Sequence, residues 1–335
     1  MRRSLALLAG VLLTGVFALP ASAAASAADG DGAGDQGFTI KDPKITESSG
    51  LAASHLHPGI YWTHNDSDDG PYIYAVDSRT GKTVATLTLK GIGSPRDVEA
   101  ISIGPGNEIY VGDIGDNLGG KWSYVWVYKL PEPKVLKDQT VTATQYVVKY
   151  ADGPRNAESL LVHPKTGRVY IIDKNEDGGH LYEGPARLSS SGSNIFKPVA
   201  AIDLWATDAA FSPNGRQLAV RGYFGGIYYD WDGGKIKRRG RLDVPLQGQG
   251  ESVSYSPDGT KLMYGSEGAD SSVQAEDAPS GASSGKSSSG TGSSASADGK
   301  SGSGNSATDG FKVGAVAVAA GALVLFGVRR RRRRG

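Results

Sequence analysis

Residues 251–268 read Glu251-Ser-Val-Ser-Tyr-Ser-Pro-Asp-Gly-Thr-Lys-Leu-Met-Tyr-Gly-Ser-Glu-Gly268. Val253 and Tyr255 alternate with serines, as in a strand with one buried face, and Leu262, Met263 and Tyr264 open a second strand after Ser256-Pro-Asp-Gly259. This spacing predicts a β-hairpin. Proline fixes φ at the first central turn position, Asp258 tolerates the second, and Gly259 can take the left-handed conformation that closes the turn.

The hairpin recurs. Phe211-Ser-Pro-Asn-Gly-Arg-Gln-Leu-Ala-Val220 is nearly a copy, and looser copies are Val162-His-Pro-Lys-Thr-Gly-Arg-Val-Tyr-Ile171, Ile103-Gly-Pro-Gly-Asn-Glu-Ile-Tyr-Val111 and His57-Pro-Gly-Ile-Tyr-Trp62. The closing glycines Gly59, Gly106, Gly167, Gly215 and Gly259 lie 47, 61, 48 and 44 residues apart. A four-stranded propeller blade needs roughly 40–50 residues, so the period indicates an array of blades. The two sharpest copies, within 207–220 and 251–264, resemble the Ser-Pro-Asp-Gly repeat of WD40-like propellers of the TolB type, which implies an all-β propeller. Such propellers serve as scaffolds, receptors and enzymes, so the resemblance implies no single function. Five repeats give a five-bladed β-propeller over 38–277, with six or seven blades as the alternative. The last repeat lacks an outer strand, and the lone strand within 38–46 is expected to complete it, tying the ends of the domain together.

The expected strands of the first blade include Tyr61–Thr63, Tyr72–Asp77 and Thr83–Leu89; those of the second include Ile109–Val111, Val125–Tyr128 and Gln145–Tyr150. Val169–Ile172 and His180–Tyr182 belong to the third, and Leu218–Val220, Ile227–Tyr229 and Lys235–Arg239 to the fourth. No segment shows a helical period.

The two ends have the form of export and anchoring segments. Arg2 and Arg3, the apolar run Leu5 to Leu19 and Ala21-Ser-Ala23 have the form of a signal peptide, taken as residues 1–28. Phe311 to Val328 is apolar apart from Lys312, and Arg329 to Arg334 follow it, so 311–328 is expected to span a membrane with 329–335 in the cytoplasm. Residues 278–309 are almost all Ser, Gly, Ala, Asp and Lys, the composition of a flexible stalk. The layout resembles Gram-positive surface proteins with a sortase signal, but Ala307-Thr-Asp-Gly310 stands where Leu-Pro-x-Thr-Gly would, so a single-span membrane protein with an extracellular propeller is expected.

Setting aside Arg2, Arg3 and Arg329 to Arg334 leaves 28 of the 36 basic residues against 35 acidic ones, a balance near −7. That argues against nucleic acid and anionic lipid as partners and mildly favours divalent cations or basic ligands. The chain has no cysteine, so packing alone stabilises the domain, which is expected to be a monomer.

In a propeller the hairpin turns of the two innermost strands lie at one face, so first-strand starts and second-strand ends meet at the other. Here those positions carry Glu47, Glu99, Glu158, Asp208 and Glu251, and Asp66, Asp113, Asp116, Asp173 and Glu267; Arg221 interrupts the pattern in blade four. Like charges this close raise one another's pKa unless compensated. A divalent cation is one compensation, and calcium suits carboxylate oxygens. The competing reading is that each acid caps backbone N–H groups or pairs with a base such as Arg96 or Lys174. The acidic loops His64–Gly70, Gly112–Asn117 and Asp173–Gly178 recur at the same place in three blades. His55, His57 and His64 could suggest zinc, but His57 precedes Pro58 as His163 precedes Pro164, which makes both turn residues away from His64.

Trp122, Tyr124, Tyr223 and Phe224 lie in loops on the acidic face, where, with Arg221, they could meet a protein, glycan or small-molecule ligand. No Gly-x-Ser-x-Gly elbow and no phosphate loop occurs. The favoured expectation is a binding module acting through an acidic, calcium-occupied mouth. The alternative is a calcium-dependent propeller hydrolase of lactonase or phytase plan, which needs a general base beside an open metal position.

Overall fold

The computed structural model of the chain describes residues 36–67 and 69–283. The signal peptide expected over 1–28, residues 284–309 of the stalk, the span 311–328 and the tail lie outside the described residues. Among the described residues there is no helix long and apolar enough to cross a membrane.

The strands, in chain order, are β1 (Phe38–Thr39), β2 (Ser48–Ala53), β3 (Ile60–Asn65), β4 (Tyr72–Asp77), β5 (Lys82–Lys90), β6 (Val98–Gly104), β7 (Glu108–Asp113), β8 (Val125–Pro131), β9 (Gln139–Thr142), β10 (Thr144–Tyr150) and β11 (Ala157–Val162). They continue as β12 (Val169–Asp173), β13 (Gly179–Glu183), β14 (Ser193–Ile202), β15 (Ala206–Phe211), β16 (Gln217–Gly222), β17 (Gly225–Asp232), β18 (Lys235–Leu242), β19 (Gly250–Tyr255), β20 (Lys261–Ser266) and β21 (Ser272–Asp277).

Successive strands pair antiparallel as β2 to β5, β11 to β14, β15 to β18 and β19 to β21, and β6, β7, β8 and β10 form a further unit. The innermost strands β2, β6, β11, β15 and β19 touch one another in a closed ring, which is the arrangement of a β-propeller. β10 and β14 pair in parallel at the outer edge, so their two units read as one eight-stranded sheet. β9 pairs in parallel with β5. Two of these strands escape the sequence pattern, β9 within a connection and β14 after a serine-rich loop, and the strand expected within 38–46 is present but only two residues long.

The ring of inner strands is buried on both faces, hence its small and apolar residues: Ser-Ser-Gly-Leu-Ala-Ala in β2 and Ala-Glu-Ser-Leu-Leu-Val in β11 are buried throughout. Outer strands alternate instead. In β5 Ala85, Leu87 and Leu89 face the core and their neighbours are partly or fully exposed. Apolar clusters fill each gap between neighbouring units; one joins Trp62, Ile73 and Leu87 to Ile101, Ile109 and Tyr128. Another joins Ile40, Leu51 and Tyr61 to Met263 and Val273.

The five turn glycines have φ of 77°, 77°, 69°, 69° and 76°, the left-handed values their role requires. At the quoted hairpin Asp258 Oδ1 accepts from Ser256 Oγ at 2.6 Å and from the Thr260 N–H at 2.9 Å, clamping the turn. β1 pairs with β21 through Phe38 opposite Val273, so the N-terminal strand completes the last unit. Residues 278–283, read from composition as the start of the stalk, are held on the domain. Asn214 Nδ2 donates to the Gly281 carbonyl at 2.6 Å, Gln217 Nε2 to that of Ser280 at 2.8 Å, and Ala282 is buried.

Candidate functional site: a carboxylate triad at the channel mouth

Every inner strand breaks register with its partner at its start: between Ser48 and Leu51, Val98 and Ala100, Ala157 and Ser159, Ala206 and Asp208, and Gly250 and Ser252. A bulge leaves one residue unpaired and re-aims its side chain. The residues so placed are Ser49, Glu99, Glu158, Thr207 and Glu251. Two of the positions expected from sequence therefore shift. In the first unit the equivalent residue is Ser49, not Glu47, and in the fourth it is Thr207, not Asp208, because the extra residue displaces the pattern by one or two positions.

The tightest gathering of acids lies between the first two units. Asp66 follows β3, Glu99 lies in β6, and Asp97 immediately precedes β6; all three are buried, and their ligand oxygens lie within 4.8 Å of one another. Burial, then the charge of Asp97, holds the Asp66 carboxyl well above the usual carboxylate range. Burial, then Asp66 and Glu158, does the same to Glu99. Glu99 Oε2 accepts from Ser49 Oγ at 3.1 Å, whereas Glu99 Oε1 and Asp66 Oδ1 are buried with no hydrogen-bond partner among the described residues. Asp97 Oδ2 accepts from the N–H and the side-chain amide of Asn117, both at 3.3 Å. Gly115 presses on the cluster: a Cβ there would stand 2.6 Å from Glu99 Oε1 and 2.8 Å from Asp97 Oδ2. The loop Gly112–Asn117 thus cradles the triad with a glycine and an asparagine. Asp66 also borders a small pocket with Ser67, Asp69 and Arg96.

A second group surrounds Lys174. Its ammonium pairs with Glu158 and donates to Tyr223 Oη at 2.8 Å. Burial pulls the Lys174 pKa down, but Glu158, Tyr223, Glu251 and Glu99 together raise it well above the ordinary value. Burial pushes Glu158 up to about 8 against the pull of Lys174. Glu251 hydrogen-bonds Tyr223 and lies within the fields of Lys174 and Arg221; burial raises its pKa. Glu267, next to Gln249, is pushed up to about 8 by burial and then by Glu251 and Glu47.

The other expected acids serve as caps or ion pairs. Asp113 accepts from the N–H groups of Arg96 and Asp97, both at 3.1 Å, and from Tyr128 Oη. Asp208 accepts from the N–H groups of Ala209 at 2.7 Å and Val253 at 2.8 Å, yet burial keeps its pKa well raised. Asp173 pairs with Arg155 at 2.9 Å, and Asp116 accepts from the Trp122 N–H while its Oδ1 stays without a hydrogen-bond partner. Arg221 is fully buried and donates to the Ser252 and Gly265 carbonyls at 2.8 Å, so it braces the last unit and does not line an open site.

The histidines do not gather. His57 Nε2 donates to the Pro133 carbonyl at 2.7 Å, and buried His64 is depressed to about 4 by burial, so it is neutral. Arg96 lies over Trp122 at 4.1 Å and Trp126 at 3.8 Å, with Tyr124 exposed beside them. The guanidinium is thus held between Trp122 and Trp126, and Tyr124 keeps an exposed ring beside them. Tyr223 and Phe224 form the loop between β16 and β17, with Phe224 exposed.

No family model matches the chain, and no curated protein matches it. Among solved structures it is similar to a putative 6-phosphogluconolactonase from Bacteroides uniformis, with 14% identity, 70% of this chain and 68% of that one covered, and a TM-score of 0.40. It is also similar to the soluble aldose sugar dehydrogenase from Escherichia coli, with 11% identity, 72% and 99% covered and a TM-score of 0.44. A glucose dehydrogenase matches with 10% identity, 71% and 98% covered and a TM-score of 0.44. Likenesses this distant bring no activity to this chain.

Proposed function

We propose that the chain is an exported, membrane-tethered, five-bladed propeller that holds a hard divalent cation, calcium above all, on Asp66, Asp97 and Glu99, and takes its ligand or partner at that mouth. The observation that carries this reading is the buried triad with two oxygens, Glu99 Oε1 and Asp66 Oδ1, that no described donor satisfies. A buried carboxylate oxygen without a partner is costly, and one cation would satisfy both of these oxygens at once. The donor set is all oxygen, which suits calcium in preference to zinc or copper. Export and tethering rest on the sequence patterns of 1–28 and 311–335.

Isothermal titration of the extracellular domain with calcium tests the reading. Uptake of one ion that Glu99→Gln and Asp97→Asn each abolish is expected; no uptake, or uptake that both variants keep, overturns it. The same protein, assayed on lactones and phosphate esters in calcium, separates binding from catalysis: turnover that Glu99→Gln removes would turn the module into a hydrolase.

A further inference from the structure

β16 runs into β17 through a two-residue loop, Tyr223-Phe224, between the paired Gly222 and Gly225. This loop leaves Phe224 62% exposed, although an aromatic of that size is normally covered. Tyr223, whose ring centre is 6.3 Å from that of Phe224, meets Trp205 edge-on at 5.3 Å and 80°, and its hydroxyl is fixed by Lys174. These three rings wall a cleft of about 560 Å³ whose rim carries Arg238, Arg241 and Asp243. Small-molecule sites measure roughly 300–1,000 Å³ and combine an apolar wall with a few polar groups. The cleft has both.

The rim selects the ligand class. Arg238 is tied to Asp203 at 2.9 Å, while Arg241 and Asp243 form no ion pair among the described residues and give the cleft one charged donor and one charged acceptor. A purely apolar ligand would leave both charges unused. A phosphate would suit Arg241 but be repelled by Asp243. A sugar ring has a flat C–H face to lie on aromatic rings and hydroxyls at its edge that both accept and donate. We propose that this cleft binds pyranose oligosaccharides, independently of any cation at the triad.

The test is titration of the full chain with chitotetraose, cellotetraose and maltotetraose, followed by calorimetry and by tryptophan fluorescence, with chelator present. At least one sugar should bind and perturb the emission. Phe224→Ala, a change at an exposed ring that leaves the fold intact, should weaken binding about tenfold or more. Arg241→Ala should weaken it as well, and Trp205→Phe should remove the optical change while calorimetry still reports binding. Failure of all three sugars at millimolar concentration, or affinity unchanged in both Phe224→Ala and Arg241→Ala, would overturn the proposal.

Discussion

Gly115 has no side chain, and the space a methyl group would need is already taken by carboxylate oxygens of Glu99 and Asp97. Gly115→Ala is therefore expected to spread the triad and abolish calcium uptake in a titration, while the metal-free protein, whose acids can yield as flexible side-chain ends, unfolds within about 1–3 kcal/mol of the parent. Unchanged uptake would place the cation elsewhere. Lys174 poses the opposite problem, since removing it strands Glu158, which is 3% exposed. Loss of one partner of a buried pair costs about 3–5 kcal/mol, but Glu158 can take up a proton and escape the penalty. Lys174→Met should thus destabilise more at pH 9 than at pH 6 in urea unfolding. Equal losses at the two pH values would show that Glu158 is not the group left unpaired.

At the scale of the element, β1 is two residues long, yet it covers the edge of β21 and brings Ile40 into a core shared with the first unit. Deleting residues 36–46 is expected to lower the melting midpoint strongly and to promote association through the uncovered edge; an unchanged midpoint would show that closure does not depend on this strand. Gly259→Ala should also destabilise, by about 1–3 kcal/mol, since φ there is 76° and the added Cβ would stand 2.7 Å from the Ala282 carbonyl oxygen. The repeat, its turns and the direction of the acidic face were legible because Pro-Asp-Gly chemistry is local. Glu99, Glu158 and Glu251 were legible too, as the second residue of each inner strand. Ser49 and Thr207 were not, because a bulge has no composition of its own and moves the equivalent position along the chain. Asp97 escaped because it sits ahead of the strand, in Ser94-Pro-Arg-Asp97, where period-2 patterning says nothing. That Arg221 turns inward depended on the long-range approach of the Ser252 and Gly265 carbonyls, which no local pattern encodes.

For the whole molecule, the buried acids make stability depend on pH, and the proposed cation would make it depend on metal as well. Burial pushes the Glu158 and Glu267 carboxyls up to about 8 in the folded protein, from an ordinary value of 4.5. The folded state then holds more protons than the unfolded chain between those limits, so this contribution is complete below about 4.5 and is lost as pH rises through about 8. The metal-free domain should melt progressively lower from pH 5 to pH 9, and a midpoint that rises over this range would contradict that electrostatic account. A cation held by Asp66, Asp97 and Glu99 would compete with protons for them, so its effect is expected to grow as pH rises. The most direct measurement is the melting midpoint of the wild-type domain at pH 8 in calcium and in chelator. A cation at one hundred times its dissociation constant adds roughly 2.7 kcal/mol, roughly 5–10 °C for a domain of this size. The triad predicts that rise, its reversal by chelator and its absence in Glu99→Gln; the same midpoint in calcium and in chelator would contradict it.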